Sequence, residues 1–182
     1  PEIICYTVSM SSQSDYTGMQ KCADCGQWHP LELLEPIFRW PDDVARVPKT
    51  AWSYRVKANE DMCILDARRH FIRCVLPFVV HDRDQNFAIG CWAEVSKADF
   101  AAIGKLWRDE DQGSAPPFDA VISNALPNMP DMRGLPALLQ LRSLSLRPAL
   151  TLTDTQHPLF ADQRDGIKGH RVFVLQGQAT PP

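Results

Sequence analysis

The sequence predicts a single α+β domain with a mainly antiparallel sheet, one or two packed helices and a zinc-knuckle-like hairpin near its N-terminus. The chain has 182 residues, of which 45% are hydrophobic, and this is enough for one full core but too little for two. Its 15 prolines are spread widely, which favours many short elements over long helices. Short apolar runs that alternate with polar turns predict strand pairs, and a strand-pair region with one or two helices is typical of an α+β domain.

The two ends of the chain differ in character from its middle. Residues 1–18 are rich in Ser, Thr and Gln and show no helical periodicity, so we expect an irregular N-terminal extension. The predicted domain covers residues 19–176, and residues 177–182 form a short C-terminal tail.

The clearest strand signals lie in the centre of the chain. Residues 62–66 and 71–80 are apolar runs separated by a polar turn at 67–70, and residues 87–95 form a third run after the polar loop 81–86. Apolar runs bounded by turn residues predict strands. Because consecutive strands joined by short turns pair antiparallel, this region predicts a meander.

A helix is predicted directly after the third strand. Ser96 is a favourable N-cap, and Asp99 stands three positions later, where a capping-box partner is expected. Four apolar side chains then recur at helical spacing: Phe100, Ile103, Leu106 and Trp107. Further along, we expect strands over 138–144 and 148–153, a short helix over 158–166 and a last apolar piece over 171–176.

The most informative motif is a pair of cysteines followed by a glycine and a histidine, at Cys22, Cys25, Gly26 and His29. A C-x2-C turn directs two sulfurs to one point, and zinc binds thiolate and imidazole ligands. Two other interpretations stay open: a reduced hairpin whose thiols only pack, and a redox dithiol. The glycine and the nearby Pro30 favour a turn over the helix start that a redox dithiol normally occupies.

A closed zinc site needs a fourth ligand, which the motif does not supply. We expect Cys63, because it begins a strand that can pair beside the hairpin; Cys91 and then His81 are the next candidates. Four protein ligands make a structural site, whereas three ligands and a water make a catalytic one. No glutamate stands near the motif in an H-E-x-x-H or H-x-E arrangement, which favours the structural site.

Arg73 is a second candidate, because it is a charged residue between apolar neighbours in a predicted strand. A half-buried guanidinium needs a carboxylate, and Asp66 lies across the predicted turn. We therefore predict an Arg73–Asp66 ion pair, with ligand binding by Arg73 as the alternative.

His157, Gln163 and Arg164 surround the predicted short helix. They could form a polar pocket for an anion or a partner, but a capping turn at Asp154, Thr155 or His157 is the favoured interpretation. The His81–Asp82 pair is expected in a solvated loop. We assign no role to His70 or His170.

These residues lie in motifs that resemble the bacterial family DUF2199, a domain of unknown function. The motifs, in order, are Cys22-x-x-Cys25-Gly26-x-x-His29, Cys63-Ile64-Leu65-Asp66 with Phe71-Ile72-Arg73, Gly90-x-Trp92 running into Ser96 and Phe100, Pro116-Pro117-Phe118, Arg147-Pro148, and His157-Pro158-Leu159 with Gln163-Arg164-x-Gly166-Ile167. The resemblance spans residues 20–172. It implies one compact domain of a soluble bacterial protein, and it implies no activity.

The composition and charge of the chain argue against several classes of function. A net charge of −3 and a pI of about 5.9 lack the basic excess of nucleic-acid-binding proteins. We see neither a membrane-spanning apolar run nor a secretory signal, so we expect a cytoplasmic protein with reduced thiols.

The sequence favours a non-enzymatic module that binds another protein and contains structural Zn²⁺. The alternative is a metal-dependent hydrolase with Cys22, Cys25 and His29 as ligands. The oligomeric state stays open.

Overall fold

The computed structural model describes residues 18–30, 32–126 and 130–177. The predicted N-terminal extension, except Gly18, and the C-terminal tail beyond Gly177 lie outside the described residues. The described part is a mixed α+β structure dominated by antiparallel sheet, as predicted. A two-stranded hairpin, β1 (Met19–Lys21) and β2 (Trp28–Pro30), stands apart from a seven-stranded sheet.

Five strands of the large sheet close into a barrel. They are β5 (Arg69–Phe78), β6 (Phe87–Val95), β7 (Phe118–Ile122), β8 (Pro136–Gln140) and β9 (Ala149–Leu152). Each strand pairs antiparallel with the next, and β9 returns to β5 in parallel at Val75↔Ala149.

Two shorter strands, β3 (Val56–Ala58) and β4 (Met62–Leu65), extend the sheet from the same edge of β5 that receives β9. The pairing of β4 ends at Ile72 of β5, and β9 joins β5 at Val75. Because β5 has ten residues, one edge accommodates both neighbours in succession. This junction leaves an opening between β4 and β9.

The interior of the barrel is apolar. The largest fully buried side chains of the described residues, from the barrel and the elements packed around it, are Trp92, Phe38, Phe71, Phe78, Phe87, Phe173, Ile72, Leu76, Ile89, Ile103, Ile122 and Met132. Cys74 and Cys91 are fully buried on paired strands, with their Sγ atoms 3.9 Å apart. Their thiols therefore serve as small apolar side chains.

The described residues form more helices than the one or two that were predicted. They are α1 (Asp42–Ala45), α2 (Trp52–Arg55), α3 (Lys97–Leu106), α4 (Pro158–Asp165) and α5 (Gly169–Leu175). The helix α3 begins after the predicted cap, where Asp99 N donates to Ser96 Oγ at 3.0 Å. The first two helices have four residues each, too few for helical periodicity to show in the sequence. No helix in the described ranges is both long and apolar enough to cross a membrane.

Candidate metal centre

The cysteine motif forms the end of the β1–β2 hairpin. Gln20 pairs with His29, and Cys22 N donates to Gln27 O at 2.7 Å. Gly26 N donates to Cys22 O at 2.9 Å, and Gly26 adopts a φ of 72°, a conformation that glycine reaches at no steric cost. The predicted N-terminal hairpin is thus confirmed, and its loop carries both thiols.

Four donor atoms converge at this loop. Cys25 Sγ lies 3.2 Å from His29 Nε2, and Cys22 Sγ lies 3.6 Å from His170 Nδ1. The four donor atoms all lie within 4.8 Å of one another. Zinc bonds of about 2.3 Å to sulfur and about 2.0–2.1 Å to nitrogen imply a sulfur–nitrogen edge of roughly 3.6 Å in a tetrahedron. The four donors therefore lie close enough together to hold one metal ion.

The fourth donor is His170, to which the sequence assigned no role. The expected ligand, Cys63, is not a member of the group that the structure brings together. Cys63 is fully buried in β4 opposite Phe71, and burial raises the pKa of its thiol to about 12. The deprotonated form that binds metal is strongly disfavoured there.

The two lower-ranked candidates are also placed elsewhere. Cys91 is buried in the barrel beside Cys74. His81 Nε2 lies 2.7 Å from Asp165 O, where the imidazole joins the end of α4 to the loop after β5.

The loop that follows β5 positions His170. Asp82 Oδ1 accepts a hydrogen bond of 2.7 Å from Gly169 N, at the first turn of α5. Arg83 Nη1 donates to Gln20 Oε1 of β1 at 2.6 Å. Most of this loop is exposed, as predicted. Its Asp82 and Arg83 side chains also contact α5 and the hairpin, and these contacts place His170 beside the thiols.

His29 is held in a form suited to metal binding. Its side chain is 4% exposed, and its ring stacks on Phe173 with centroids 4.0 Å apart and planes 9° apart. Burial first, and then the nearby charges of His170 and Arg83, lower the pKa of His29. A neutral imidazole is the metal-binding form.

The predicted Arg73–Asp66 ion pair is wrong. Asp66 instead accepts two hydrogen bonds of 2.7 Å from Arg55. The hairpin register explains the difference, because Leu65 opposes Arg69 at the turn and Met62 opposes Ile72 at the open end. Asp66 lies at the turn and Arg73 beyond the open end, where its Nη1 donates to Glu60 O at 3.3 Å.

The capping interpretation at α4 is confirmed. His157 is the N-cap, and its Nδ1 accepts from Leu159 N at 3.2 Å. Gln163 accepts from Leu152 N and donates to Leu150 O, each at 2.8 Å, so its amide joins α4 to β9. Arg164 pairs with its neighbour Asp165 at 2.6 Å.

Comparison with known proteins identifies one matching family but indicates no activity. A family model described as "Uncharacterized protein conserved in bacteria (DUF2199)" matches residues 21–167. The matched range contains Cys22, Cys25 and His29 and ends before His170. Neither a curated protein nor a solved structure matches the chain.

Proposed function

We propose that this chain, which belongs to the DUF2199 family of uncharacterised bacterial proteins, is a non-enzymatic protein-binding module with a structural zinc ion. Membership of this family indicates no activity, so the proposal rests on the geometry of the candidate metal site. The convergence of four protein donors, Cys22, Cys25, His29 and His170, within 4.8 Å supports it. Two thiolates and two imidazoles are a frequent ligand set of structural zinc sites.

The fourth protein donor favours the structural role over the hydrolytic alternative. A zinc hydrolase keeps one coordination position open for water. In this site His170 supplies a fourth protein donor, with its Nδ1 3.6 Å from Cys22 Sγ. A metal held by all four side chains has no vacant position for substrate.

The hairpin also needs a stabilising contact that apolar burial does not provide. Among the residues of β1 and β2, only His29 is buried. A two-stranded hairpin is marginally stable by itself in water. A metal that links its loop to α5 would supply the missing stability, because metal binding and local folding are coupled.

Exposed apolar side chains support the binding part of the proposal. Trp28 is 44% exposed on the hairpin, and Leu144 and Leu146 are 56% and 51% exposed on the loop between β8 and β9. Exposed tryptophans are frequent anchors of protein partners, and neighbouring exposed apolar side chains can mark an interaction surface. With a net charge of −3, we expect another protein as the partner, in the cytosol, where the thiols stay reduced.

Metal analysis and hydrogen exchange test the zinc site. We expect one zinc per chain after dialysis, and Co²⁺ substitution should give the absorption of a tetrahedral site with two thiolates. Chelation should abolish amide protection in the hairpin and α5 and leave β5 and β6 protected. A chain that binds no zinc, or a hairpin that keeps its protection after chelation, would contradict the structural site. A Co²⁺ spectrum that changes on adding azide would reveal an open position and favour the hydrolase.

A further inference from the structure

A groove opens where β4 and β9 leave the shared edge of β5. Arg73 N donates to Asp61 O at 2.8 Å on one side, and Val75 N donates to Pro148 O at 2.9 Å on the other. The groove has a volume of about 820 Å³, within the usual range of ligand pockets. Its walls are the residues before β4, the end of α3, and the loop 141–148 between β8 and β9.

Guanidinium groups dominate the charge of this groove. Arg108, Arg142 and Arg147 line it, together with the acidic Glu60 and Asp61. Arg147 Nε lies 3.8 Å from Asp61 Oδ1, so this pair offsets its own charge. Among the described residues, Arg108 and Arg142 have no carboxylate within ion-pair distance. The lining side chains therefore carry one more positive than negative charge, in a chain whose net charge is −3.

Burial makes this positive charge costly. Arg142 is half-buried, and desolvation lowers its pKa. Arg73, beside the groove, has a pKa lowered by burial and then by the charge of Arg147. An anion that entered would offset the cost of desolvation by its attraction to the guanidinium groups and would reduce their mutual repulsion.

Two exposed leucines stand next to these charges. Leu144 and Leu146 line the groove, and more than half of each side chain is exposed. A free inorganic anion would leave both uncovered. The rim therefore suits a ligand that carries apolar side chains beside its negative charge.

The loop that carries these groups is fixed in shape before any ligand binds. Gln112 Nε2 donates to Arg142 O at 2.7 Å, Leu146 N donates to Ser143 O at 2.9 Å, and Arg142 Nε donates to Arg147 O. A preorganised loop loses little conformational entropy on binding, and affinity rises accordingly.

We propose that this groove binds an acidic peptide segment of a partner protein, in which a carboxylate on Arg108 and Arg142 neighbours an apolar side chain on Leu144 and Leu146. Guanidinium and carboxylate groups match in planar, two-point hydrogen bonds. Glu60 and Asp61 would repel the continuous charge of a nucleic acid, whereas a peptide can direct its acids away from them. This inference rests on the proposed role as a protein-binding module and names the chemistry of the partner.

Peptide selection on the zinc-loaded full chain tests the groove. Random 12-residue peptides are selected on the immobilised protein, and the enriched peptides are measured by fluorescence anisotropy. We expect Asp or Glu next to an apolar residue in the enriched set, and affinity that falls as salt rises. An analogue with Asn and Gln in place of the acids should bind at least about tenfold more weakly.

Two groove variants and one control variant test whether the enriched peptide binds in the groove. Arg142→Gln should weaken the enriched peptide at least about tenfold. Arg108→Gln should do the same, and because Arg108 is exposed this variant separates lost charge from a disturbed loop. Arg68→Gln, which removes an equal charge from an exposed turn, should leave affinity within about twofold.

The possible results of these experiments distinguish a wrong groove assignment from a wrong assignment of the protein-binding function. Enriched peptides whose affinity is unaffected by both groove variants, or whose neutral analogue binds equally well, would overturn the groove and leave the binding module standing. No saturable binding by any enriched peptide would overturn the binding module together with the groove.

Discussion

His170 Nδ1 lies 3.6 Å from Cys22 Sγ, although 148 positions separate the two residues in the chain. A metal ion between them would join the first hairpin of the described chain to its last helix. Such a link closes a long loop, and the entropy that it removes from the unfolded chain grows with loop length. The site therefore bears on the stability of the domain as well as on the local hairpin.

The His170→Ala variant tests this relationship most directly. We expect zinc affinity, measured by competition with a chromophoric chelator, to fall at least about 100-fold, since even indirect partners of metal ligands are worth 10–100-fold. Lys168→Ala is the matched control, because Lys168 is exposed and makes no side-chain capping bond. Equal affinities in the two variants would exclude His170 as a ligand.

The cap of α4 provides a second prediction. His157 Nδ1 accepts from Leu159 N, so His157→Ala should lower the free energy of unfolding by about 1 kcal/mol. His157→Asn can supply another side-chain acceptor and should recover most of that loss. Urea denaturation measures both. Wild-type stability in His157→Ala would mean that the bond contributes nothing and would revive the anion-pocket interpretation.

The third prediction concerns an ion-pair network on β5. Arg69 donates to Asp43 at 2.6 Å and to Glu94 at 2.6 and 2.9 Å. The hydrogen bond from Arg69 is the largest cause of the lowered pKa of Asp43. A carboxyl whose pKa is lower in the folded state contributes stability above its unfolded pKa of about 3.9, and that stability is lost as pH falls through the folded pKa.

Arg69→Met should therefore lower the free energy of unfolding at neutral pH. The loss should be smaller at acidic pH. We expect a loss of about 1 kcal/mol, because these side chains are 26–45% exposed and solvent weakens the pairs. Methionine keeps the apolar stem of Arg69, although it removes the cation–π contact of the guanidinium with the Phe71 ring. The control is Arg46→Met, a more exposed partner of Asp43, with an expected change within about 0.5 kcal/mol. A loss that is the same at every pH would contradict the electrostatic explanation.

Local signals predicted the parts of this fold that depend on neighbouring residues. The strand β6 and the Ser96 cap of α3 follow from an apolar run and a three-residue spacing. The position of the candidate ligand His170 does not follow from local signals. A lone histidine becomes a candidate donor only when the loop after β5 contacts both α5 and the hairpin. The Arg73–Asp66 pair was wrong for a similar reason. Its prediction needed the register that Asp66 and Ala67, both with positive φ, impose on the hairpin.

The glycine before α5 gives the last prediction, which joins backbone conformation to the metal site. Gly166 has a φ of 78° and a ψ of 170°, a region that only glycine adopts readily. A Cβ there would also lie 2.3 Å from His81 Nε2, so the imidazole would have to leave its contact with Asp165 O. Gly166→Ala should therefore cost about 2–3 kcal/mol of stability.

The matched control is Gly104→Ala in α3, where a Cβ meets nothing within 4 Å. Alanine inside a helix is more favourable than glycine, so this variant should gain roughly 0.5–1 kcal/mol. Because Gly166 sets the direction in which the chain enters α5, Gly166→Ala should also weaken zinc binding, whereas Gly104→Ala should not. Chemical denaturation and chelator competition measure the two effects. A Gly166→Ala protein that loses stability but binds zinc as tightly as the wild type would show that α5 reaches the hairpin independently of this turn.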